Sequence, residues 1–226
     1  MTSTTEPTIL DDIDPDLVGR LVSRRGAFAQ AASTLGAVAT APMLLAAVST
    51  NADAQLFGIG VPAQIADVLN FALTLEYLED EFYRTALAQP GLIPGEYQVV
   101  FAQISKHETA HVKALRGVLG GLAVPKPQFD FTGGGRYPAV FSNFKTFATL
   151  SQTFEDTGVA AYKGQAGNLM GNGPILTTAL RIHSVEGRHA AEVRRVRGQR
   201  EWPSGAFDNP MSKAQVLAAV SPFLAG

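Results

Sequence analysis

Two halves of this chain carry the same spaced set of glutamate, tyrosine and histidine, and that repeat constrains the fold more than any other feature. In the first half Leu75-Glu76 is followed by Tyr83, and in the second Phe154-Glu155 is followed by Tyr162, each tyrosine seven residues after its glutamate. Further on stand Ile104-Ser105-Lys106-His107-Glu108-Thr109-Ala110-His111 and Ile182-His183-Ser184-Val185-Glu186-Gly187-Arg188-His189. Both place Glu-x-x-His four residues after an isoleucine. Glu76 precedes Glu108 by 32 positions, and Glu155 precedes Glu186 by 31. A duplicated unit of this kind predicts two like hairpins packed about a pseudo-two-fold axis.

The residues around the repeat have a helical period. Ile65, Leu69, Leu73, Leu75–Leu78 and Phe82 recur as one face of a helix, not as an alternating strand. The pattern predicts a first helix over about 63–88, stopped by Gln89-Pro90-Gly91, and a second over about 96–119, ended by Gly120-Gly121. A third covers about 142–170, a fourth runs from Pro174 to about Arg197, and a short fifth spans 212–224. Short loops inside each pair make antiparallel hairpins. The connection between the pairs, of roughly 20 residues, is long for a compact domain and suits a crossover along the bundle. The expected class is all-α: a four-helix bundle of two antiparallel hairpins joined by a long crossover, with a short C-terminal helix.

Helix geometry gives the repeat a chemical meaning. Residues three apart lie on one face, so Glu108 with His111, and Glu186 with His189, can reach a common point. Glu76 and Glu155 add one carboxylate each from the facing helices. The chain has no cysteine and only four histidines, His107, His111, His183 and His189, so any metal here is held by imidazole and carboxylate. Such a donor set suits iron or manganese and does not separate them. Four glutamates turned into an apolar core would cost far too much without cations to offset them.

At these residues the sequence resembles the di-iron and di-manganese ferritin-like proteins, whose centres take one Glu from each of two helices and Glu-x-x-His from the other two. Within that superfamily the stretches 69–79 and 154–162 are similar to exported, desiccation-associated ferritin-like domain proteins; the likeness covers about 63–200. The resemblance implies two iron ions, or alternatively two manganese ions. Glu76 and Glu155 would be terminal ligands, Glu108 and Glu186 would bridge, and His111 and His189 would each cap one ion. Many relatives carry an acid directly before the Glu-x-x-His glutamate, to hold a ligand histidine. Here His107 and Val185 stand there, so that support is expected from Glu79, Asp80 or Asp156. Tyr83 and Tyr162 are expected near the ions, as hydrogen-bond donors or redox-active groups, or as core tyrosines with satisfied hydroxyls. The implied activity is a metal-centred oxidoreductase, with Glu108, Glu186, Tyr83 and Tyr162 taking part, that oxidises ferrous iron or consumes oxygen or peroxide in stress protection. A manganese catalase is the enzymatic alternative. Iron storage in a closed homo-oligomer and non-enzymatic protection during drying are the others.

The rest of the chain narrows the setting. With 46% hydrophobic and 17% charged residues it reads as globular. A formal net charge of −2 argues against a nucleic-acid partner. Residues 1–54 read as a twin-arginine-like signal peptide: Arg24-Arg25, an Ala-rich apolar run over 27–48, then Ala52-Asp53-Ala54 before Gln55. This predicts a mature domain of 55–226, near neutral, periplasmic or secreted, with no permanent membrane span after processing. His183, three before Glu186, is expected to be a hydrogen-bonded or partly exposed histidine more than an extra ligand. Arg194, Arg195, Arg197 and Arg200 suit a helix C-terminus, and Gly133–Gly135 reads as a loop, not a phosphate cradle.

Overall fold

The computed structural model describes residues 61–202 and 205–225; the expected signal peptide lies outside them. Five α-helices follow one another: α1 (Ala63–Leu87), α2 (Gln98–Leu119), α3 (Phe144–Gln165), α4 (Gly173–Val196) and α5 (Lys213–Val220). Among the described residues the only β feature is an isolated antiparallel bridge, Phe129 to Leu224. The architecture is the expected all-α bundle, with α1 packed on α2 and α3 on α4. Among the described residues no helix is long and apolar enough to cross a membrane.

The helix ends are written locally. Asn143 caps α3 by accepting from the Thr146 N–H, and Asn172 caps α4 by accepting from the Ile175 N–H, ahead of Pro174 in the first turn. Ser212 and Gln215 form a reciprocal capping box on α5. At the end of α4, Gly198 takes φ 67°, which lets its N–H reach Arg195 O and the Gln199 N–H reach Arg194 O. Two helices are shorter than the sequence predicts. α3 stops at Gln165 and tightens into a 3₁₀ turn over Ala166–Leu169, where Gly167 weakens the helix. α5 stops at Val220 because Pro222 has no N–H to continue the ladder, and Ser221–Phe223 closes as 3₁₀.

Residues 120–143 carry the chain from the end of α2 back to the start of α3, and two ties hold them. Asn70 of α1 donates to Leu122 O and accepts from the Val124 N–H. Farther along, Asp130 N donates to Phe223 O and Ala225 N donates to Gln128 O, so the C-terminus straps the crossover down.

The core has two parts. One is aromatic, built on Phe82, Tyr83, Phe101, Phe147 and Phe154. The other is mainly aliphatic, built on Leu69, Leu73, Leu115, Leu119 and Ile182. α2 runs from the first part to the second and α4 runs back. The Glu-x-x-His motifs therefore lie between the two apolar layers, in the middle of the bundle.

Candidate metal centre

All six residues of the repeat converge there. Glu76, Glu108, Glu155 and Glu186 are each 0% exposed, and His111 and His189 are buried beside them. They form two overlapping groups, Glu76, Glu108, His111 and Glu186 in one and Glu108, Glu155, Glu186 and His189 in the other, with the donor atoms of each group within 4.8 Å of one another. The shared members divide their oxygens. Glu108 turns Oε2 to His111 Nδ1 (3.1 Å) and Oε1 to His189 Nδ1 (2.8 Å). Glu186 turns Oε1 to His111 Nδ1 (3.0 Å) and Oε2 toward His189 Nδ1 (3.8 Å). The unshared glutamates stay on one side each: Glu76 Oε2 lies 3.2 Å from His111 Nδ1, and Glu155 Oε2 lies 3.4 Å from His189 Nδ1.

These contacts are close, yet many are not hydrogen bonds. Glu108 Oε1, Glu155 Oε2, both Glu186 oxygens and His189 Nδ1 are buried and have no hydrogen-bond partner among the described residues. Orphaned buried donors of this kind are costly, and a pair of cations between them would satisfy them all. The residues present therefore fit a two-metal carboxylate site.

In the metal-free protein, protons do part of that work. Burial alone would lower both imidazoles, but the Glu76 charge, a hydrogen bond to Glu108 and the close approach of Glu186 hold His111 far above its ordinary value. The Glu155 charge does the same for His189. Burial lifts Glu155 to about 7 in spite of His189. Glu186 is also penalised by burial, but the close approach of His111 and His189 holds it down at about 2. Burial and the Glu186 charge push Glu108 well up.

The tyrosines are hydrogen-bond donors, and they cross between the hairpins. Tyr83 of α1 donates to Glu155 Oε1 of α3, while Tyr162 of α3 donates to Glu76 Oε1 of α1. Each thus holds the unshared carboxylate of the opposite hairpin. Burial, with the charge of the accepting glutamate, raises both phenols well above their usual value, so each keeps its proton to donate.

The support for the histidines differs from the sequence expectation. Asp80 accepts from Thr109 Oγ1 and pairs with Arg84, and Asp156 pairs with Arg194 and Gln152 on the flank. Neither touches a histidine. His107 does: its Nδ1 lies 2.8 Å from His189 Nε2, and its Nε2 lies 2.7 Å from the Gln103 amide. The residue in the place of the usual acid therefore holds one of the clustered histidines itself, across to α4. The sequence signal was its position directly before Glu108. Glu79 lies beside the cluster, belongs to neither donor group and bonds no histidine among the described residues; burial and the Glu186 charge raise its carboxyl well above the usual range. His183 belongs to neither group and is half-buried, with Nδ1 unpartnered among the described residues. Arg194, Arg195 and Arg197 bond to Asp156, Glu192 and Gln152, as structural side chains do.

Comparison with known proteins agrees with this geometry. Residues 64–199 match the family model described as the ferritin-like domain. No curated protein matches the chain.

Proposed function

The chain belongs to the ferritin-like domain family, and from that premise we propose that it holds a di-iron centre, or a di-manganese one, and works as an oxidoreductase that oxidises ferrous iron or consumes oxygen or peroxide. One observation carries this reading: Glu108 and Glu186 each divide their two oxygens between the donor groups, as carboxylates bridging two ions must. Glu76 and Glu155 would then be terminal ligands, and His111 and His189 would each serve one ion. Bound metal would supply redox chemistry. The chain supplies the rest: apolar layers on both sides exclude water, and Tyr83 and Tyr162 fix the terminal carboxylates.

The physiological setting we infer is stress protection outside the cytoplasm, of the desiccation-associated kind. It is supported by Arg24-Arg25, the apolar run and Ala52-Asp53-Ala54 in the sequence. Export of folded, metal-loaded protein fits such a leader, and replacing both arginines with lysine should retain precursor in the cytoplasm.

The deciding experiment is anaerobic loading with ferrous or manganous ion, followed by elemental analysis and stopped-flow reoxidation. Two ions per chain are expected, and iron-loaded protein should be reoxidised by oxygen or peroxide faster than free ferrous ion. Glu108→Ala should disturb both ions and lose the acceleration. Oxygen release from peroxide with manganese alone would move the assignment to a catalase. Two bound ions with no turnover would leave storage or protection.

A further inference from the structure

Glu79 stands three residues after Glu76, on the same face of α1. It is 2% exposed and makes no hydrogen bond to any described residue. Its direction is fixed by a neighbour without a side chain. At Gly158 of α3, the position a Cβ would occupy lies 3.3 Å from Glu79 Oε1 and 3.4 Å from Glu186 Oε2. Glu79 therefore points past α3 toward one of the two shared carboxylates. It is a buried acid beside Glu186, at the edge of the donor cluster and outside both donor groups.

The internal repeat sharpens this. Glu79 follows Glu76 by the same three positions that separate Gly158 from Glu155, so the two are pseudo-two-fold mates. One half of the molecule carries a carboxylate and the other half carries nothing. A glycine inside a helix costs about 1 kcal/mol relative to alanine. Gly158 has no positive φ to explain it. Its lack of a side chain is explained by the carboxylate beside it, since even a methyl group would crowd Glu79 Oε1.

We propose that Glu79 is a seventh protein ligand of the metal pair, admitted by the missing side chain at Gly158, so that the two halves of the centre are chemically unequal. The proposal rests on the two-metal reading above. It assigns a fifth carboxylate, enough to outweigh the charge of two divalent ions, and so a centre biased toward the more highly charged metal state.

The test uses the full chain, manganous ion as probe, and calorimetry with thermal melting. Wild type, Glu79→Gln, Gly158→Ala and the double variant are compared, with helical circular dichroism confirming each fold. Glu79→Gln should weaken at least one manganous ion by about tenfold or more, the scale seen when groups around a metal are removed. Without metal the same variant should melt higher than wild type, because a buried unpaired acid has gone. Gly158→Ala should weaken manganous binding in the same direction, and should add little in the double variant, since both act through one carboxylate. If wild type binds two ions and Glu79→Gln binds them equally well, Glu79 is not a ligand and the six-residue centre stands. If wild type binds no manganous or ferrous ion, both readings fall.

Discussion

The two ring nitrogens of His189 face different partners. Nδ1 is turned to Glu108, and Nε2 meets His107, whose ring lies nearly in the same plane, at an interplanar angle of 14°. If Nδ1 is the ligand atom, Nε2 keeps its proton and donates it to His107 Nδ1. His107 Nε2 is then the protonated nitrogen and needs an acceptor; the Gln103 amide nitrogen faces it at 2.7 Å, so this tautomer requires the Gln103 amide to turn over and present its oxygen. This short relay fixes both tautomer and ring orientation. Val185, at the corresponding place in the other half, has no polar side chain with which to do this for His111. His107→Ala should therefore weaken one ion by about tenfold and leave the other near its wild-type affinity. His107→Asp, which restores an acceptor, should recover most of the loss; competition titration against a metal-sensitive dye would show both. Equal weakening of both ions would contradict the relay. At this scale the convergence of the Glu-x-x-His pairs was legible because i,i+3 spacing is a property of one helix, and Glu76 and Glu155 were legible from the repeat. The His107–His189 contact and the crossed tyrosine bonds were not, because each joins helices far apart in sequence.

Helix boundaries depend on single side chains, and two of them can be weighed. Asn172 accepts from the Ile175 N–H at the start of α4, the helix that carries Glu186 and His189. Asn172→Ala should cost about 1 kcal/mol, read as a shift in denaturant midpoint without loss of metal stoichiometry. Gly164 is different in kind. A Cβ there would lie 1.9 Å from Met211 O, in the segment that hydrogen-bonds back to α3 through Met211 N and Ala160 O. That atom is backbone and cannot swing away. Gly164→Ala should cost about 1–3 kcal/mol as overpacking, despite alanine's better helix propensity. A stabilised variant would mean that residues 209–212 do not dock on α3 in solution. The helices themselves were legible from the apolar period and from Pro90-Gly91, Gly120-Gly121 and Asn172-Gly173-Pro174. The docking at Gly164 was not, since a glycine in a helical stretch reads only as weak propensity until its neighbour is known.

The described bundle holds a charged layer between two apolar ones, and its stability depends on what neutralises that layer. The hairpins and the existence of a crossover could be read from loop lengths. The route of the crossover could not, because it is set by Asn70 and by the strap between residues 128–130 and 223–225, contacts with no local pattern. The proton content of the metal-free state follows from the structure in the same way. His111 and His189 are held protonated well beyond neutral pH by the surrounding carboxylates, and Glu155 titrates at about 7. Metal binding requires neutral imidazole and ionised carboxylate. At neutral pH each imidazole must therefore give up its proton as the ions enter, and Glu155 must release the fraction of a proton it still holds. The sign is fixed: lower pH favours the protonated, metal-free form, and higher pH favours the loaded one. With at least these two protons displaced, and Glu155 and Glu108 adding to them, the overall constant for loading both ions should fall by at least about a hundredfold for each unit of pH lost. Calorimetry of manganous binding in buffers of different ionisation enthalpy, repeated between about pH 6 and pH 8, would count the protons directly. At least two released per loaded chain is the expected result. Binding with no proton release would mean that the histidines are already neutral, and that something other than their protons balances the glutamates in the empty protein.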